Sequence, residues 1–290
     1  MDAHAQSPDS TATKLRDPPF VLPTSVELRT DVVYVHHGSQ DLQLDLFIPQ
    51  KPGHGRPAVA YLHGGGWHSG TRRQFWRHAA HMATQGFVGA TAQYRFAPTH
   101  PFPAAVEDAQ AAVRWLRCQA ATLGIAADLI GAVGGSAGGH LAALLGTTDV
   151  PVEGVSSRVQ AVVAFNGEFD LPAFLATPVT TDERMSHAVQ DFVGPHPRTA
   201  QQASPLHQAD RQAAPTLPLH GTADSLVPFT QSVAFQQRLQ ALGVPAEHGF
   251  FNHSPYYQRA LPVMAQFLVQ VLGEGAALPP HPAPATTWSP

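Results

Sequence analysis

The sequence contains a single cysteine, Cys118, among 290 residues. One cysteine can form no disulfide within the chain and supplies no thiolate cluster for a metal. Charge is also scarce, because Asp, Glu, Lys and Arg make up 13% of the residues and the formal net charge is -4. Nucleic-acid binding needs a basic patch that holds the phosphates, and no cluster of Lys and Arg stands out. We therefore predict no nucleic-acid partner.

Long apolar runs are missing as well. No stretch reaches the roughly 18 apolar residues that a membrane-spanning helix requires. The first residues are polar and lack the charged start and apolar stretch of a signal peptide. As it stands, the sequence predicts a cytoplasmic protein without a membrane span, although secretion after removal of a presequence would leave no trace in it. The oligomeric state stays open.

Histidine, by contrast, is abundant, with 17 residues. His78 and His81 would share one helix face, but no third or fourth ligand completes a metal site around them. A Gly-rich loop after a strand could cradle a phosphate, yet the chain has no G-K-[ST] motif. We therefore predict neither a metal nor another cofactor.

The composition predicts one domain between two tails. With 43% hydrophobic residues the chain can bury a large core, and its length fits a single α/β domain. We predict a flexible tail over residues 1–24, a domain over 25–273, and a Pro/Ala-rich tail over 274–290, because the tail compositions bury too little surface to become ordered. Residues 168–214 are the least regular part of the domain and would hold a short helix or two, as a small lid does.

Strand and helix patterns alternate through this domain. Two early segments, VELRTDVVYVHHG and LQLDLFIP, alternate apolar and polar residues and predict an antiparallel hairpin. Later runs are nearly continuous in apolar residues, as strands covered on both faces must be: AVAYLHG, FVGATAQYR, LIGAVGGS, VQAVVAFNG and TLPLHGTAD. Helices are predicted over residues 72–85, 103–123, 137–147, 228–242 and 256–272. The alternation indicates an α/β fold with a largely parallel sheet.

Ser136 stands in the Gly-rich stretch GGSAGG, between a strand pattern and a helix pattern. Gly134, Ser136 and Gly138 fit G-x-S-x-G, the nucleophile elbow, in which a strained turn lifts the serine hydroxyl off the sheet. The alternative is an ordinary serine at a Gly-rich helix start. The order of strand, serine and helix favours the elbow, so we predict Ser136 as a nucleophile.

A nucleophilic serine needs donors for the oxyanion that forms when it attacks a carbonyl. The run HGGGW, residues 63–67, follows a predicted central strand and matches the motif whose backbone amides supply such donors. We predict an oxyanion hole made by the amides of Gly65, Gly66 and Ala137, with the Trp67 N–H as a substitute for one loop donor.

The serine also needs a base and an acid that orients the base. Asp224 follows a predicted strand and precedes a helix that starts with proline; its alternative role is that of a turn or capping residue. His248 follows Asp224, which gives the chain order Ser, Asp, His. His253 is a rival base, although its place beside Ser254 at the start of the last helix favours capping or exposure. We predict Asp224 as the acid and His248 as the base.

Four apolar side chains lie near these groups in sequence, and we predict them as walls of a substrate pocket. They are Trp67, Leu226, Val227 and Phe250. Each could equally belong to the core.

The motifs together resemble a known family. HGGGW, AQYRFAPTHPFPAAVEDAQAAVRWL, GGSAGGHLAALL, HGTADSLVP and HGFF occur in this order. Over residues 25–272 the chain is similar to α/β-hydrolase fold serine esterases, namely the hormone-sensitive-lipase-like carboxylesterases and their feruloyl and acetyl esterase relatives. The resemblance implies a mostly parallel eight-stranded sheet with helices on both faces, with a small lid or none. It also implies structural roles for Arg95 and Asp108 behind the oxyanion loop.

The chain departs from these relatives in two places. Where they often have GPTD after the sixth strand, it has NGEFDL, so the pocket wall near Asn166, Glu168 and Phe169 is expected to differ. The amino-terminal segment is too short and too Pro-rich for large cap helices. We therefore expect an open site that accepts a bulky alcohol portion, such as a sugar or an aryl group.

The resemblance implies a serine carboxylesterase without cofactor that acts on a small-molecule ester with a short acyl or aryl group, including acetyl or feruloyl esters of carbohydrates. One alternative is hydrolysis of an amide, for instance an arylformamide, by the same triad. Another is a catalytically inactive hydrolase fold that serves as a receptor for a small ligand. Paired ester and amide substrates distinguish the first alternative, and a covalent fluorophosphonate adduct distinguishes the second.

Overall fold

The computed structural model describes residues 19–176, 183–194, 196–246, 249–250 and 256–273. Eight strands form one sheet within these residues. They are β1 (Val26–His37), β2 (Gln40–Pro49), β3 (Arg56–Leu62), β4 (Val88–Ala92), β5 (Ile125–Gly135), β6 (Ala161–Phe165), β7 (Thr216–His220) and β8 (Gly249–Phe250). Their order across the sheet is β1-β2-β4-β3-β5-β6-β7-β8.

The sheet is mostly parallel. β1 and β2 form the predicted antiparallel hairpin, and β2 also runs antiparallel to β4. All other neighbouring strands pair in parallel. The strands β4, β6 and β7 are buried along their whole length, as their continuous apolar sequences require. The predicted eight-stranded, mostly parallel sheet is therefore confirmed.

Ten α-helices are described. They are α1 (Trp76–Thr84), α2 (Ala104–Cys118), α3 (Ala120–Leu123), α4 (Ala137–Thr147), α5 (Leu171–Ala176), α6 (Glu183–Val193), α7 (Pro197–Gln202), α8 (Pro205–Gln208), α9 (Thr230–Ala241) and α10 (Tyr256–Leu268). A 3-10 helix, Arg72–Phe75, precedes α1, and a π-helical turn, Val269–Gly273, follows α10. All five predicted helices occur, although the one predicted over 103–123 is divided into α2 and α3.

Helices cover both faces of the sheet, as the resemblance implies. One apolar cluster joins Leu62 of β3 to Val113 of α2, Leu141 of α4 and Phe235 of α9. The second cluster joins Tyr61 of β3 to helices α1 and α10 on the opposite face. Because successive side chains of a strand point to opposite faces, adjacent residues of β3 contribute to the two different clusters.

The segment 168–214 differs from its prediction. Its described residues form four helices, α5 to α8, rather than one or two. They pack onto the domain: Phe192 of α6 is fully buried, and its carbonyl accepts a hydrogen bond from the Phe102 amide at 2.7 Å. Three of the four, α5, α7 and α8, have only six, six and four residues, which is too short for a clear periodic pattern, and such helices depend on tertiary contacts.

The predicted tails fall largely outside the described residues. Residues 1–18 and 274–290 are not part of the described structure, and β1 begins at Val26. The domain boundaries therefore stay predictions. Within the described ranges, none of the helices combines the length and apolar character needed to cross a membrane.

Candidate active site

Ser136 occupies a strained turn between β5 and α4, with φ 51° and ψ −125°. Non-glycine residues with positive φ are uncommon and cluster at functional sites. The turn is fixed at its start and end, because the Ser136 amide donates to the Phe165 carbonyl at 2.8 Å and the Ser136 carbonyl accepts from the His140 amide at 2.9 Å. The serine is partly exposed at the edge of the sheet.

Glycines let the chain pass closely at this turn. A Cβ atom on Gly134 would overlap the carbonyl oxygen of Gly138. A Cβ atom on Gly138 would in turn overlap the carbonyl oxygens of Leu62 and His63, at the end of β3. Side chains at these two positions are therefore excluded by backbone atoms, as the elbow motif predicts.

The loop after β3 lies against the elbow. A Cβ atom on Gly64 would stand 2.8 Å from the Gly135 carbonyl oxygen and 3.5 Å from the Ser136 Cβ atom. Gly65, Gly66 and Trp67 follow with φ values of 124°, 60° and 60°.

The loop leaves backbone donors available. The Gly65 carbonyl accepts the amides of His68 and Ser69 at 3.1 and 3.2 Å, which closes a tight turn. Within the described part of the chain, the amides of Gly65, Gly66 and Ala137 take part in none of the hydrogen bonds. These are the three predicted oxyanion donors, and the elbow and the loop bring them to the same edge of the sheet.

Trp67 is buried in the core, where it does not form the wall of an open pocket. Its ring stacks on Phe192 with centroids 4.4 Å apart, and His140 packs edge-on at 5.1 Å. The large apolar ring is fully buried against these neighbours and anchors the loop between β3 and α1. The structure therefore assigns the Trp67 side chain a packing role in place of the predicted contact with substrate.

Asp224 lies in the loop between β7 and α9, and its side chain is 19% exposed. Its Oδ1 accepts the amides of Leu226 and Val227 at 2.8 and 2.9 Å, so the aspartate also stabilises its own turn. Its Oδ2 lies 3.7 Å from Nε2 of His220. The predicted role and the turn-forming alternative are thus compatible, because they use different carboxylate oxygens.

His220 is a buried structural histidine beside Asp224. Its Nε2 lies 2.8 Å from the Val227 carbonyl, which can only accept, so Nε2 carries a hydrogen. Its Nδ1 faces the Ser232 hydroxyl at 2.7 Å. Burial lowers the pKa of His220, although the Val227 hydrogen bond and Asp224 oppose the shift. Both ring nitrogens of His220 therefore have a hydrogen-bonding partner, one in the loop after Asp224 and one in α9.

The structure describes some of the remaining predicted site residues and not others. Leu226 is 45% exposed in the loop after Asp224, whereas Val227 is buried. His248 and the rival His253 lie outside the described residues, and so does the side chain of Phe250.

Glu168 is the residue at this site to which the sequence analysis gave no catalytic part. Its Oε1 lies 3.1 Å from Ser136 Oγ, and the side chain is completely buried. The pKa of Glu168 is raised to about 8, mainly by burial and to a smaller extent by the nearby Asp224, while hydrogen bonds to its own backbone amide and to Ser136 act in the opposite direction. The position of Glu168 just after β6, the neighbour of β5, is the signal that could have pointed to this contact.

The turn that carries Glu168 is held from α9. Oε1 of Gln231 accepts the amides of Phe169 and Asp170 at 2.8 and 2.7 Å, and its Nε2 donates to the Asp170 carbonyl at 3.1 Å. The Phe169 ring stacks on Phe235 with centroids 4.6 Å apart. The backbone after Glu168 is therefore fixed by both polar and apolar contacts.

A buried ion pair supports the HGGGW loop. Asp108 of α2 accepts the Arg95 amide at 2.8 Å and the Arg95 Nε at 2.9 Å. The neighbouring residue, Tyr94, donates its hydroxyl hydrogen to the His63 carbonyl at 2.8 Å. Arg95 and Asp108 thus fix the segment that holds the start of the HGGGW loop, which is the structural role implied by the resemblance.

The segment that follows the loop is tied to the hairpin. Asp45 of β2 accepts Arg72 Nη1 at 2.7 Å and Trp76 Nε1 at 3.0 Å. Gln74, between these two residues, accepts the Gly64 amide through its Oε1 at 2.5 Å. The 3-10 helix and α1 therefore hold the loop through contacts separate from those of Arg95.

The sequence of residues 44–239 matches the BD-FAE family. The match covers more than half of the chain and includes the elbow, the HGGGW loop, Glu168 and Asp224. The chain belongs to the BD-FAE family.

Several similar proteins are named as esterases or as hydrolases. Esterase LipC of Mycobacterium tuberculosis is 33% identical over 260 residues, which cover 81% of this BD-FAE chain and 62% of LipC. Thermogutta terrifontis esterase 2 phosphonylated by sarin superposes with a TM-score of 0.74 at 31% identity, covering 89% of this chain and 98% of that one. The acetyl ester-xyloside bifunctional hydrolase from Caldicellulosiruptor lactoaceticus has a TM-score of 0.69 at 25% identity, covering 79% and 88%.

The BD-FAE chain spans about half to three-fifths of the length of the curated relatives that it matches first. The family match and the solved structures confirm the α/β-hydrolase fold and the similarity to serine esterases that the sequence motifs indicate.

Proposed function

We propose that the protein is a serine carboxylesterase. The observation that carries the proposal is the strained Ser136 turn facing a loop whose Gly65 and Gly66 amides make no hydrogen bond among the described residues. Such an arrangement suits attack on a carbonyl, because strain exposes the nucleophile and bare amides stabilise the oxyanion. Similarity to proteins named as esterases supports the same class.

The proposed reaction has two steps. Ser136 Oγ attacks the ester carbonyl while a histidine takes the serine proton, and the amides of Gly65, Gly66 and Ala137 donate to the oxyanion. The histidine then protonates the leaving alcohol, which leaves an acyl-enzyme on Ser136. Water, deprotonated by the same histidine, attacks the acyl group, and the imidazolium returns the proton to Ser136 Oγ as the acid is released.

Asp224 is the proposed acid of the triad. One of its oxygens holds the turn through Leu226 and Val227, which leaves Oδ2 to orient the histidine and stabilise the imidazolium. Glu168, the other acid at the site, suits this role less well. Its buried carboxyl has a pKa of about 8 and is therefore neutral at pH 7, so it supplies no negative charge.

The choice of base depends on β8. Its residues Gly249 and Phe250 pair with Leu219 and His220 at the end of β7, so β8 reaches the same sheet edge as the strand before Asp224. A base that follows the last strand would come after Phe250. In chain order His253 follows β8 and His248 precedes it, so we propose His253 as the base and keep His248 as the alternative.

Alanine variants of His248 and His253 distinguish between the two candidate bases. The variant that lacks the base, H248A or H253A, is expected to lose at least about 10⁴-fold in kcat, because the serine then has no proton acceptor. The other variant should keep kcat within about threefold.

The proposed substrates are short-acyl or aryl esters, with acetyl or feruloyl esters of carbohydrates as the finer assignment. Support for the acetyl assignment comes from the structural similarity to the acetyl ester-xyloside bifunctional hydrolase. Hydrolysis rates with p-nitrophenyl esters of increasing acyl length, followed by acetylated and feruloylated sugars, test it. Paired aryl ester and aryl amide substrates separate esterase activity from amide hydrolysis.

The central test uses Ser136→Ala. We expect the variant to lose p-nitrophenyl acetate hydrolysis and covalent labelling by a fluorophosphonate, because both need the Ser136 hydroxyl. Ser156→Ala is the control, since that hydroxyl binds Asp149 in a loop away from the sheet edge. A folded wild type that shows neither labelling nor ester turnover would indicate the inactive receptor. Full turnover by the folded Ser136→Ala protein would remove Ser136 from the reaction.

A further inference from the structure

We propose that Glu168 positions the nucleophile through its proton: the neutral carboxyl donates a hydrogen bond to Ser136 Oγ, and loss of this proton inactivates the enzyme. The assignment rests on the proposed esterase function, in which Ser136 attacks the substrate. Glu168 acts through Ser136 and is a positioning residue.

The geometry keeps the two side chains together. The Oγ and Oε1 atoms lie 3.1 Å apart, and the glutamate has no exposed surface. The turn after β6 is fixed because the Asn166 amide donates to the Leu219 carbonyl at 2.7 Å and Gln231 holds the backbone on the other side of Glu168. The carboxyl therefore cannot swing to solvent without breaking these contacts.

Polar or titratable groups on three other elements lie close enough to influence Glu168. Ser136 approaches from the start of α4, Asp224 acts from the loop after β7, and Tyr94 interacts from the segment after β4. Asp224 places a second negative charge near the carboxyl, and Tyr94 is itself buried and neutral, with a pKa raised above its usual value. Oε2 of Glu168 has no hydrogen-bond partner among the described residues. This environment favours the neutral acid, whose pKa of about 8 is well above that of an exposed glutamate.

The proton determines the direction of the hydrogen bond. A neutral carboxyl carries one O–H donor, whereas a carboxylate can only accept. When Glu168 donates to a lone pair of Oγ, the serine keeps its own hydrogen for the base, and a second lone pair can attack the carbonyl. When Glu168 is ionised, Ser136 donates its hydrogen to the carboxylate and the base loses its partner. The negative charge also opposes the oxyanion that forms nearby.

The pH dependence of kcat/KM tests the inference, with Glu168→Gln as the informative variant. An amide is always able to donate to Oγ and does not ionise near pH 8. For the wild type we expect kcat/KM to decline above pH 8 and to be about 30-fold below its plateau at pH 9.5. The Gln variant should lie within about threefold of the wild type at pH 7 and lose the decline. The change should appear in kcat, with KM within about twofold, because Glu168 is buried behind the nucleophile.

Two controls separate this role from others. Glu153→Gln removes an exposed carboxyl in the loop before β6 and should keep the wild-type profile. The rate of fluorophosphonate labelling measures the reactivity of Ser136 directly and should decline above pH 8 in the wild type, which keeps the test valid if the Gln variant fails to fold.

An unchanged decline in folded Glu168→Gln, or a wild type that keeps its labelling rate to pH 9.5, would overturn the assignment. Loss of activity in the Gln variant at pH 7, with intact fold, would do the same, because an amide donor should suffice. Ser136→Ala reports on the esterase proposal separately: if Ser136→Ala is inactive and Glu168→Gln keeps the decline, the positioning role alone fails.

Discussion

The two sides of the candidate site are built by different means. On the nucleophile side, backbone conformation places the groups: Ser136 and Gly65 have positive φ, and glycine contacts bring the loop and the elbow together. On the acid side, which carries Glu168 and Asp224, side-chain hydrogen bonds place the groups. Gln231 holds the turn after Glu168, and Asp224 ties the loop after β7 through its own carboxylate.

This difference affects which substitutions each side of the site can tolerate and how much of each side can be predicted from the sequence. A backbone-built site tolerates few substitutions, because an added Cβ atom meets a carbonyl oxygen. A side-chain-built site can change its residues as long as a partner remains to satisfy the buried polar atoms. The acid side is therefore where we expect the proposed chemistry to tolerate adjustment, and the role proposed for Glu168 is an example.

Asp224→Asn gives the largest expected effect and tests the acid side. The amide keeps an oxygen for the Leu226 and Val227 hydrogen bonds but cannot stabilise an imidazolium, so kcat should fall by about 10⁴-fold with the fold unchanged. Steady-state kinetics with p-nitrophenyl acetate measure it. Asp170→Asn is a matched control, because that carboxylate is 20% exposed and Asp224 is 19% exposed. Equal losses in both variants would contradict a specific role for Asp224.

Much of the nucleophile side could be predicted from the sequence because its rules are local. Gly134, Ser136 and Gly138 lie within five residues of the chain and form one short motif, and a Cβ atom on Gly134 would overlap Gly138 of the same turn. The hairpin of β1 and β2 and the buried strands follow from apolar patterns in the same way. The position of the HGGGW loop after β3 follows from a short motif.

The features that the sequence did not predict depend on which helices and strands lie next to each other in the folded protein. Glu168 contacts Ser136 because β6 pairs with β5. The segment NGEFDL contains no pattern from which this strand pairing could be predicted. Trp67 is buried because Phe192, far along the chain, stacks on its ring. The four helices α5 to α8 likewise depend on the surface that they cover, so a segment with little periodicity gave too few predicted helices.

Gly138→Ala tests the backbone-built side. The new Cβ atom would overlap carbonyl oxygens of β3, and backbone on both sides leaves little room to move, so the free energy of unfolding should fall by about 3 kcal/mol or more. Chemical denaturation measures it. Gly273→Ala is the control, since its Cβ atom would meet Val269 at an ordinary 3.5 Å, and should change stability by less than about 0.5 kcal/mol. Wild-type stability in Gly138→Ala would mean that the elbow can relax.

The two sides should also respond to pH in opposite directions. Burial lowers the pKa of His140, on α4, to about 4, so protons bind the unfolded chain more readily and stability is lost as pH falls from 6.5 to 4. Glu168 has a raised pKa, so its contribution is lost as pH rises from about 4.5 to 8.

His140→Gln isolates the first of these effects. The Gln amide can still donate to the Ala203 carbonyl, which His140 Nε2 contacts at 2.6 Å. The stability advantage of the wild type over the variant should shrink by about 2 to 3 kcal/mol between pH 6.5 and 4. Denaturation curves at both pH values measure it. A constant difference would show that His140 binds its proton normally in the folded protein.

Leu226→Ser should have the smallest effect and shows how far the acid side can be altered. The side chain is 45% exposed, while the backbone amide that binds Asp224 is kept, so stability should change by less than about 0.5 kcal/mol. If Leu226 covers part of the acyl chain, losing that apolar contact should raise KM for p-nitrophenyl butyrate by about three- to fivefold and leave acetate nearly unchanged. Val152→Ser removes an equally exposed side chain, at 49%, from a distant loop and should alter neither KM. Because serine keeps the backbone and removes only apolar surface, a KM for butyrate that matches the control would place Leu226 outside the pocket.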